Sequence, residues 1–263
     1  MINRIDKKFK ELRGSNKKAF IAFITAGYPS LDITEKLVLE FSKSGVDIIE
    51  LGVPFSDPMA DGPIIQESSE AALRQGVYLK DILDLVKRVR RYTDIPIALM
   101  TYYNIIFCFK EERFIKIASG YGVDGVIIPD LPPEEGMSFI KLADRHKLDV
   151  ICFVSPTTSR KRIKYISKMA RGFIYYISLT GVTGPRQNLP PELIQNLREI
   201  KKIVDKPVCV GFGVSTPEQI RRIWAVADGV IVGSAIVKKI KENLNNKNLV
   251  KNIGKFILYL RQG

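Results

Sequence analysis

Three carboxylates lie close together in a segment that starts at the end of an apolar run and continues through prolines and glycines. Glu50 closes the apolar run, and Asp57 and Asp61 follow within residues 51–63. The prolines at positions 54, 58 and 63 lack a backbone donor and keep the preceding residues extended, so we expect a stiff loop rather than a helix. Paired carboxylates in a confined site are well suited to moving protons, so the segment indicates acid–base chemistry.

Glu50 is the first catalytic candidate. In a strand it shares a face with Ile48, so if Ile48 points into the protein interior, Glu50 does too. Burial there would raise the pKa of Glu50 and let it donate a proton near neutral pH. The alternative is an ion pair with a neighbouring lysine. For Asp61 the alternative is a turn residue that bonds its own backbone, and for Asp57 and Asp130 that turn interpretation is preferred.

A second group of residues indicates a phosphate site. Glycines at positions 184, 211, 213 and 233, together with Ser234, lie at or after the ends of predicted strands, where backbone amides and a helix N-terminus can bind an anion. A short helix from Ser234 to Ile240 would supply that N-terminus. The alternative for each glycine is an ordinary turn. The segment from Thr180 to Leu189 is a candidate lid, or else a passive surface connection.

Composition excludes several classes of protein. The 263 residues carry a net charge of +13, but the basic residues are dispersed without interleaved aromatics, so we expect solvated helix faces and no nucleic-acid partner. No apolar run is long enough for a membrane span, and the start lacks a signal or transit peptide. Three cysteines without a CxxC and the single His146, at a predicted helix end, indicate reduced thiols and no metal site. We expect a cytoplasmic protein, or a stromal one if it is plastid-encoded.

Short apolar runs alternate with amphipathic helices, which predicts parallel strands with crossover helices. Eight such runs favour a single (β/α)8 TIM barrel domain over residues 1–263. An open doubly wound sheet is the alternative, and the absence of a GxGxxG after the first run counts against it. The predicted strands are Phe20–Thr25, Val46–Leu51, Pro96–Thr101, Gly125–Ile128, Val150–Val154, Phe173–Ser178, Val208–Gly211 and Gly229–Val232.

Helices are predicted between these strands and at both ends of the chain. An extra N-terminal helix, Ile5–Leu12, would cover the bottom of the barrel, and a last helix, Leu249–Leu260, would close its side. The others are Leu31–Lys43, Leu79–Arg91, Glu112–Tyr121, Pro133–His146, Arg160–Met169, Pro191–Val204 and Pro217–Val226.

Six segments, in order along nearly the whole chain, resemble the tryptophan synthase alpha subunit family. The most specific is ELGVPFSDPMADGP at 50–63. The others are FITAGYP at 23–29, GVIIPDLP at 125–132, GVTG at 181–184, GFGVS at 211–215 and VGSAIV at 232–237. The resemblance implies a (β/α)8 barrel that cleaves indole-3-glycerol phosphate to indole and glyceraldehyde 3-phosphate, a carbon–carbon lyase reaction in tryptophan biosynthesis. It implies no metal and no organic cofactor.

The resemblance also implies roles for single residues. Glu50 would protonate indole C3 and later take up the glycerol hydroxyl proton, and Asp61 would bind the indole N–H and stabilise positive charge. Thr183 would be a lid residue that orients Asp61, and Tyr175 would lie near Glu50. The remaining implied positions are Phe23, Ile127 and Phe212 around the indole, and Gly184, Gly213, Gly233 and Ser234 at the phosphate.

The family works with a pyridoxal-phosphate beta subunit in an α2β2 heterotetramer, to which indole passes directly. The implied interface positions are Pro54, Asp57, Asn104 and Pro132. Three alternatives remain open: a stand-alone lyase that releases indole, a catalytically weak activator of the beta subunit, and another phosphate-binding barrel such as a sugar-phosphate isomerase. Intact Glu50 and Asp61 count against the weak activator.

Overall fold

The computed structural model describes residues 3–177, 192–211 and 213–262. Within them, parallel strands follow one another around a closed barrel in chain order, and β1 pairs with β8 to close it. The predicted barrel is therefore confirmed. The eight strands are β1 Ala19–Thr25, β2 Ile48–Gly52, β3 Ile97–Met100, β4 Gly125–Ile127, β5 Asp149–Val154, β6 Ile174–Ile177, β7 Val208–Gly211 and β8 Gly229–Val232.

Helices surround the barrel and agree with the predicted ones within a few residues at most ends. In the described residues they are α1 Arg4–Gly14, α2 Leu31–Lys43, α3 Pro63–Arg74, α4 Leu79–Val89, α5 Tyr103–Phe109, α6 Glu111–Tyr121, α7 Met137–Arg145, α8 Arg160–Met169, α9 Leu193–Lys201, α10 Pro217–Trp224, α11 Ser234–Lys241 and α12 Leu249–Leu260. None of these helices has the length and apolar character required to cross a bilayer.

Two helices were not predicted, and one begins later than expected. Helix α3 starts at Pro63, which the sequence analysis assigned to a loop; a proline is tolerated at the first helical position because that amide has no helical partner. Helix α5 is only seven residues long, too short to show periodicity. Helix α7 begins at Met137 rather than at Pro133, because the preceding residues form turns in which Glu135 and Gly136 donate to the Pro132 carbonyl.

Three aspartates at the bottom of the barrel follow one pattern. Asp47, Asp124 and Asp228 directly precede β2, β4 and β8, and their carboxylates accept hydrogen bonds from the backbone N–H of Phe20, Ile97 and Val208 respectively, at 2.8–3.0 Å. Each of these donors lies at the start of the preceding odd-numbered strand. The aspartates satisfy amides that would otherwise be buried without partners, and so they support the register of neighbouring strands.

Helix α1 covers the bottom, as predicted. Its capping residue Asn3 donates to the carbonyls of Asp124 and Lys147, and the ring of Phe9 lies 5.8 Å from that of Phe173. Helix α12 packs against α2, α10 and α11, and closes the side between them. Because α1 covers the bottom of the barrel, the carboxyl ends of the strands are the place for chemistry.

Candidate active site

A cleft opens at the carboxyl ends of the strands, and both candidate catalytic carboxylates line it. Glu50 comes from β2, and Asp61 comes from the loop between β2 and α3. The walls beside them are apolar and come from four separate parts of the chain: Phe23, Ile65, Met100 and Ile231. A buried acid–base pair against apolar walls is a typical arrangement for moving a proton to or from an organic substrate.

The Glu50 side chain is almost completely buried, with 1% of its surface exposed. Among the described residues, neither carboxyl oxygen of Glu50 has a hydrogen-bond partner. The alternative that Glu50 forms an ion pair with a lysine is therefore not observed among these residues. Burial, and secondly the negative charge of Asp61, raise the pKa of Glu50 to about 8. The inward direction expected from strand alternation is therefore observed, and Glu50 holds its proton at neutral pH.

Asp61 is also buried but is held by a hydrogen bond. The Tyr102 hydroxyl donates to Asp61 Oδ2 at 3.1 Å, and the backbone carbonyl of Asp61 accepts a bond from Gln66 Nε2 at 2.8 Å. Burial raises the pKa of Asp61 to about 6, while the bond from Tyr102 opposes the rise. The carboxylate is thus directed into the cleft by a residue distant in sequence, which differs from the local turn interpretation.

Tyr102 is a site residue that the sequence analysis did not identify. It lies two residues after β3 and has 3% of its surface exposed, and its hydroxyl also accepts a bond from the Ala60 amide at 3.0 Å. The only signal for it in the sequence is its position at a strand end. Ile65 and Met100 were missed in the same way, because nothing local distinguishes a cleft wall from ordinary core.

Tyr175 lies on β6 and lines the same cleft. Its ring is 4.8 Å from that of Phe153, and it passes so close to the backbone of Gly211 that a side chain there would overlap it. Burial raises the pKa of Tyr175 well above its ordinary value, with the nearby Glu50 as the second cause, so its hydroxyl stays protonated.

Three of the four predicted phosphate residues that the structure describes lie at this cleft, and Gly211 is not among its lining residues. Gly213, Gly233 and Ser234 line it, and helix α11 begins at Ser234. Gly213 has a φ of +82°, which favours glycine, and Phe23 packs beside Gly233.

Phe23, predicted as a contact of the indole ring, lies in the apolar wall of the cleft. Ile127 is fully buried on β4 and is not among the residues that line the cleft. Thr183, Gly184 and Phe212, and the candidate lid 180–189, lie outside the described residues.

The predicted interface positions lie on loops and a helix beyond the strand ends. Asp57 and Asn104 are exposed, Pro132 is half-buried and Pro54 is buried. Asp130, which the sequence analysis interpreted as a turn residue, accepts a bond from the Tyr103 amide at 2.9 Å and so supports the first turn of α5. Where the chain is described, no three His, Cys, Asp or Glu side chains are grouped as a metal site would need.

Comparison with known proteins gives the family. The family model described as tryptophan synthase alpha chain matches residues 9–258. The chain belongs to this family. The tryptophan synthase alpha chain of Geotalea uraniireducens is 50% identical over 262 residues, which cover 100% of this chain and 98% of the relative.

Solved structures agree. Tryptophan synthase subunit alpha from Legionella pneumophila superposes with a TM-score of 0.93 at 38% identity, covering 100% of this chain and 98% of that one. A chain of Mycobacterium tuberculosis tryptophan synthase superposes with a TM-score of 0.88 at 36% identity, and the match covers 100% of both chains. The expected enzyme class is thereby confirmed: this chain is a tryptophan synthase alpha lyase, whose reaction is the cleavage of indole-3-glycerol phosphate in tryptophan biosynthesis.

Proposed function

We propose that this chain performs the alpha reaction with Glu50 as its proton-transfer group and Asp61 as the anion that stabilises positive charge. The observation that carries the proposal is the different placement of two buried carboxyls in one cleft: Glu50 has no hydrogen-bond partner among the described residues, whereas Asp61 accepts a bond from the Tyr102 hydroxyl at 3.1 Å. This difference accompanies a pKa of about 8 for Glu50 and about 6 for Asp61. At neutral pH the first carboxyl is protonated and the second is ionised. Environments that separate the pKa values of two neighbouring carboxyls are how enzymes assign acid and base roles.

The chemistry uses both protonation states. Glu50 donates its proton to C3 of the indole ring, and the cationic ring donates its N–H to the Asp61 carboxylate. Glu50, now ionised, takes the proton of the glycerol hydroxyl next to the ring. The C–O bond becomes the aldehyde of glyceraldehyde 3-phosphate, the C–C bond breaks, and its electron pair returns to the ring as neutral indole. Glu50 is protonated again at the end of the cycle.

The rest of the cleft fits the two ends of such a substrate. The apolar walls would hold the indole ring, with Phe23 as one of its contacts. Gly213, Gly233 and Ser234 would hold the phosphate, because backbone amides at the start of α11 favour an anion. Tyr175 would lie against the reacting carbon beside Glu50. Thr183, Gly184, Ile127 and Phe212 stay part of the proposal, as a lid residue, a phosphate contact and two indole contacts.

A beta subunit is the proposed partner, in an α2β2 assembly that receives indole directly. Large apolar side chains are exposed near the predicted interface positions: Met59, on the loop that carries Asp57, has 76% of its surface exposed, and Phe107, on the helix that carries Asn104, has 64%. Exposed large apolar side chains on the loop and the helix that carry two of the interface positions favour an interaction surface there. Pro54 and Pro132 would contribute backbone shape there rather than exposed area.

The deciding experiment is indole release from indole-3-glycerol phosphate by the purified chain, with and without a beta subunit. We expect slow release that the partner accelerates. Fast release by the chain alone would instead favour a stand-alone lyase, and no release with the beta subunit still activated would favour a regulator.

The role of Glu50 is tested in the same assay. Glu50→Gln should reduce turnover by roughly 10²-fold or more, since it removes the transferable proton. Glu112→Gln, an exposed glutamate on α6, is the matched control and should leave turnover unchanged. Near-normal turnover of Glu50→Gln would contradict its catalytic role.

A further inference from the structure

Phe55 stacks on the tyrosine that holds Asp61. The Phe55 and Tyr102 ring centroids are 5.0 Å apart, with an angle of 28° between the ring planes. The backbone N–H and carbonyl of Phe55 both form hydrogen bonds with one buried side chain, that of Ser69 on α3. The Phe55 amide donates to Ser69 Oγ at 2.9 Å, and that hydroxyl donates to the Phe55 carbonyl at 3.3 Å. Helix α3 therefore fixes where the Phe55 ring lies.

The position of the Tyr102 hydroxyl depends on where its ring lies. The ring is rigid, so a shift or tilt of its face moves the hydroxyl at its far end. That hydroxyl donates to Asp61 and accepts from the Ala60 amide, so it fixes both the carboxylate and the backbone next to it. Phe55 covers the ring, and it thereby restricts the direction from which Asp61 receives its hydrogen bond.

The loop that carries Phe55 and Asp61 reaches the protein surface between these two residues. Ser56 and Asp57 are exposed, and Met59 extends outwards. The tip is compact, because the Met59 amide bonds the Asp57 carbonyl and the Asp61 amide bonds the Pro58 carbonyl, both at 2.9 Å. Phe55 and Asp61 are thus the two inner ends of one exposed turn, and Tyr102 contacts both of them.

We propose that Phe55 is a positioning residue for the lyase reaction, acting through Tyr102 to orient the Asp61 carboxylate. The proposal rests on the proposed function, in which Asp61 stabilises the positive charge of the ring. Phe55 is not among the residues that line the cleft. Phe55 acts on the rate by keeping the Asp61 carboxylate correctly placed. A small misplacement of a group that stabilises the transition state lowers the rate more than it weakens substrate binding.

The test replaces the ring and measures both turnover and the protonation of Asp61. In the full chain with its beta subunit, Phe55→Leu should lower kcat roughly tenfold with KM little changed. Phe55→Tyr, which keeps a stacking ring, should restore most of the rate. In a Tyr102→Phe background the Phe55→Leu substitution should have little further effect, because both act through the same hydroxyl.

A second measurement does not depend on the reaction. Carboxyl-labelled aspartate followed by NMR over pH, with the Asp61 signal assigned by Asp61→Asn, reports the pKa of Asp61 directly. Phe55→Leu and Tyr102→Phe should both raise it, because the hydrogen bond from Tyr102 favours the ionised form. Glu50 and Tyr175, the other titratable side chains that line the cleft with Asp61, are not substituted in any of these variants.

The matched control is Phe256→Leu. Phe256 is a half-buried phenylalanine that also stacks on a tyrosine, Tyr259, with centroids 6.3 Å apart, but it lies on α12. If Phe55→Leu affects kcat and the pKa of Asp61 no more than Phe256→Leu does, the proposal is overturned, even if the protein is less stable. A wild-type chain without indole release would refute the proposed function, and the NMR titration would still decide the role of Phe55.

Discussion

The Tyr102 hydroxyl lies 3.1 Å from Asp61 Oδ2, although the two residues belong to different loops of the barrel. The bond places a neutral donor against a carboxylate that burial pushes towards protonation. It keeps Asp61 ionised near neutral pH while Glu50, in the same cleft and without such a donor among the described residues, keeps its proton. The difference in pKa between Glu50 and Asp61 therefore comes from the Tyr102 hydroxyl as well as from their different burial.

Tyr102→Phe should shift the acidic limb of the pH–rate profile to higher pH. Without the donor the pKa of Asp61 rises, so a larger fraction of the enzyme carries a protonated Asp61 at pH 6–7. We expect kcat at pH 7 to fall roughly tenfold, the order of a hydrogen bond to a charged group. The measurement is kcat against pH for indole release.

Tyr103→Phe is the control for this prediction. It removes a neighbouring hydroxyl that bonds Glu111 outside the cleft, and it should leave the acidic limb in place. An acidic limb that is unchanged in Tyr102→Phe would mean that the bond does not tune Asp61.

The sequence was enough to predict the barrel and the position of Glu50, because both depend on local patterns. Strand alternation relates Glu50 to Ile48 without knowledge of the fold, and the eight apolar runs match the eight observed strands. Helix α3 was missed because Pro63 was interpreted as a residue of the loop, whereas at the first helical position it is compatible with a helix.

Long-range contacts explain what could not be predicted. Tyr102 and Asp61 meet only because the loops after β2 and β3 are adjacent in the closed barrel, and no periodicity in either segment records that contact. Asp149 is a similar case. The predicted strand begins at Val150, and only the packing of α1 under the barrel shows that the preceding aspartate is buried.

Glu50 should make the protein less stable as the pH rises from about 4.5 to about 8. Its folded pKa of about 8 lies above the ordinary value of 4.5, so in that range the folded state holds a proton that the unfolded state has lost. The free energy of unfolding therefore falls with pH through this window and is constant above it. Glu50→Gln should remove this fall and raise the unfolding midpoint in urea at pH 8 but not at pH 4.

The same titration should appear in the kinetics of the wild type. Above about pH 8 Glu50 loses its proton and the rate of indole release should decline. A rate that stays constant to pH 10 would contradict the assignment of Glu50 as the proton donor, and a stability curve for Glu50→Gln that is parallel to wild type would contradict its raised pKa.

Gly233→Asp should weaken substrate binding. The substitution places a side chain within 3.2–3.4 Å of Phe23 and adds negative charge at the start of α11, where the phosphate is proposed to bind. We expect KM for indole-3-glycerol phosphate to rise at least roughly tenfold, since one like charge next to a phosphate costs more than about 1.4 kcal/mol. Gly233→Asn, which adds similar bulk without charge, is the control and should have the smaller effect; equal KM values for the two would place the phosphate elsewhere.

Asp149→Asn should stabilise the protein at neutral and alkaline pH. Asp149 has 5% of its surface exposed at the start of β5, its Oδ2 has no hydrogen-bond partner among the described residues, and burial, then the charges of Asp6 and Asp124, raise its pKa to about 8. Arg171 offsets this only in part, and Asp144 adds to it.

Between about pH 4 and pH 8 the unfolded state ionises Asp149 while the folded state keeps it protonated, so the wild-type free energy of unfolding falls with rising pH. A neutral asparagine removes that fall, and the gain should grow through this window to roughly 2–4 kcal/mol at pH 8. Urea unfolding of both proteins at pH 4, 6 and 8 measures it, with the exposed Asp205→Asn as control. If the difference in free energy of unfolding between Asp149→Asn and wild type is the same at all three pH values, Asp149 is ionised in the folded protein and its raised pKa is wrong.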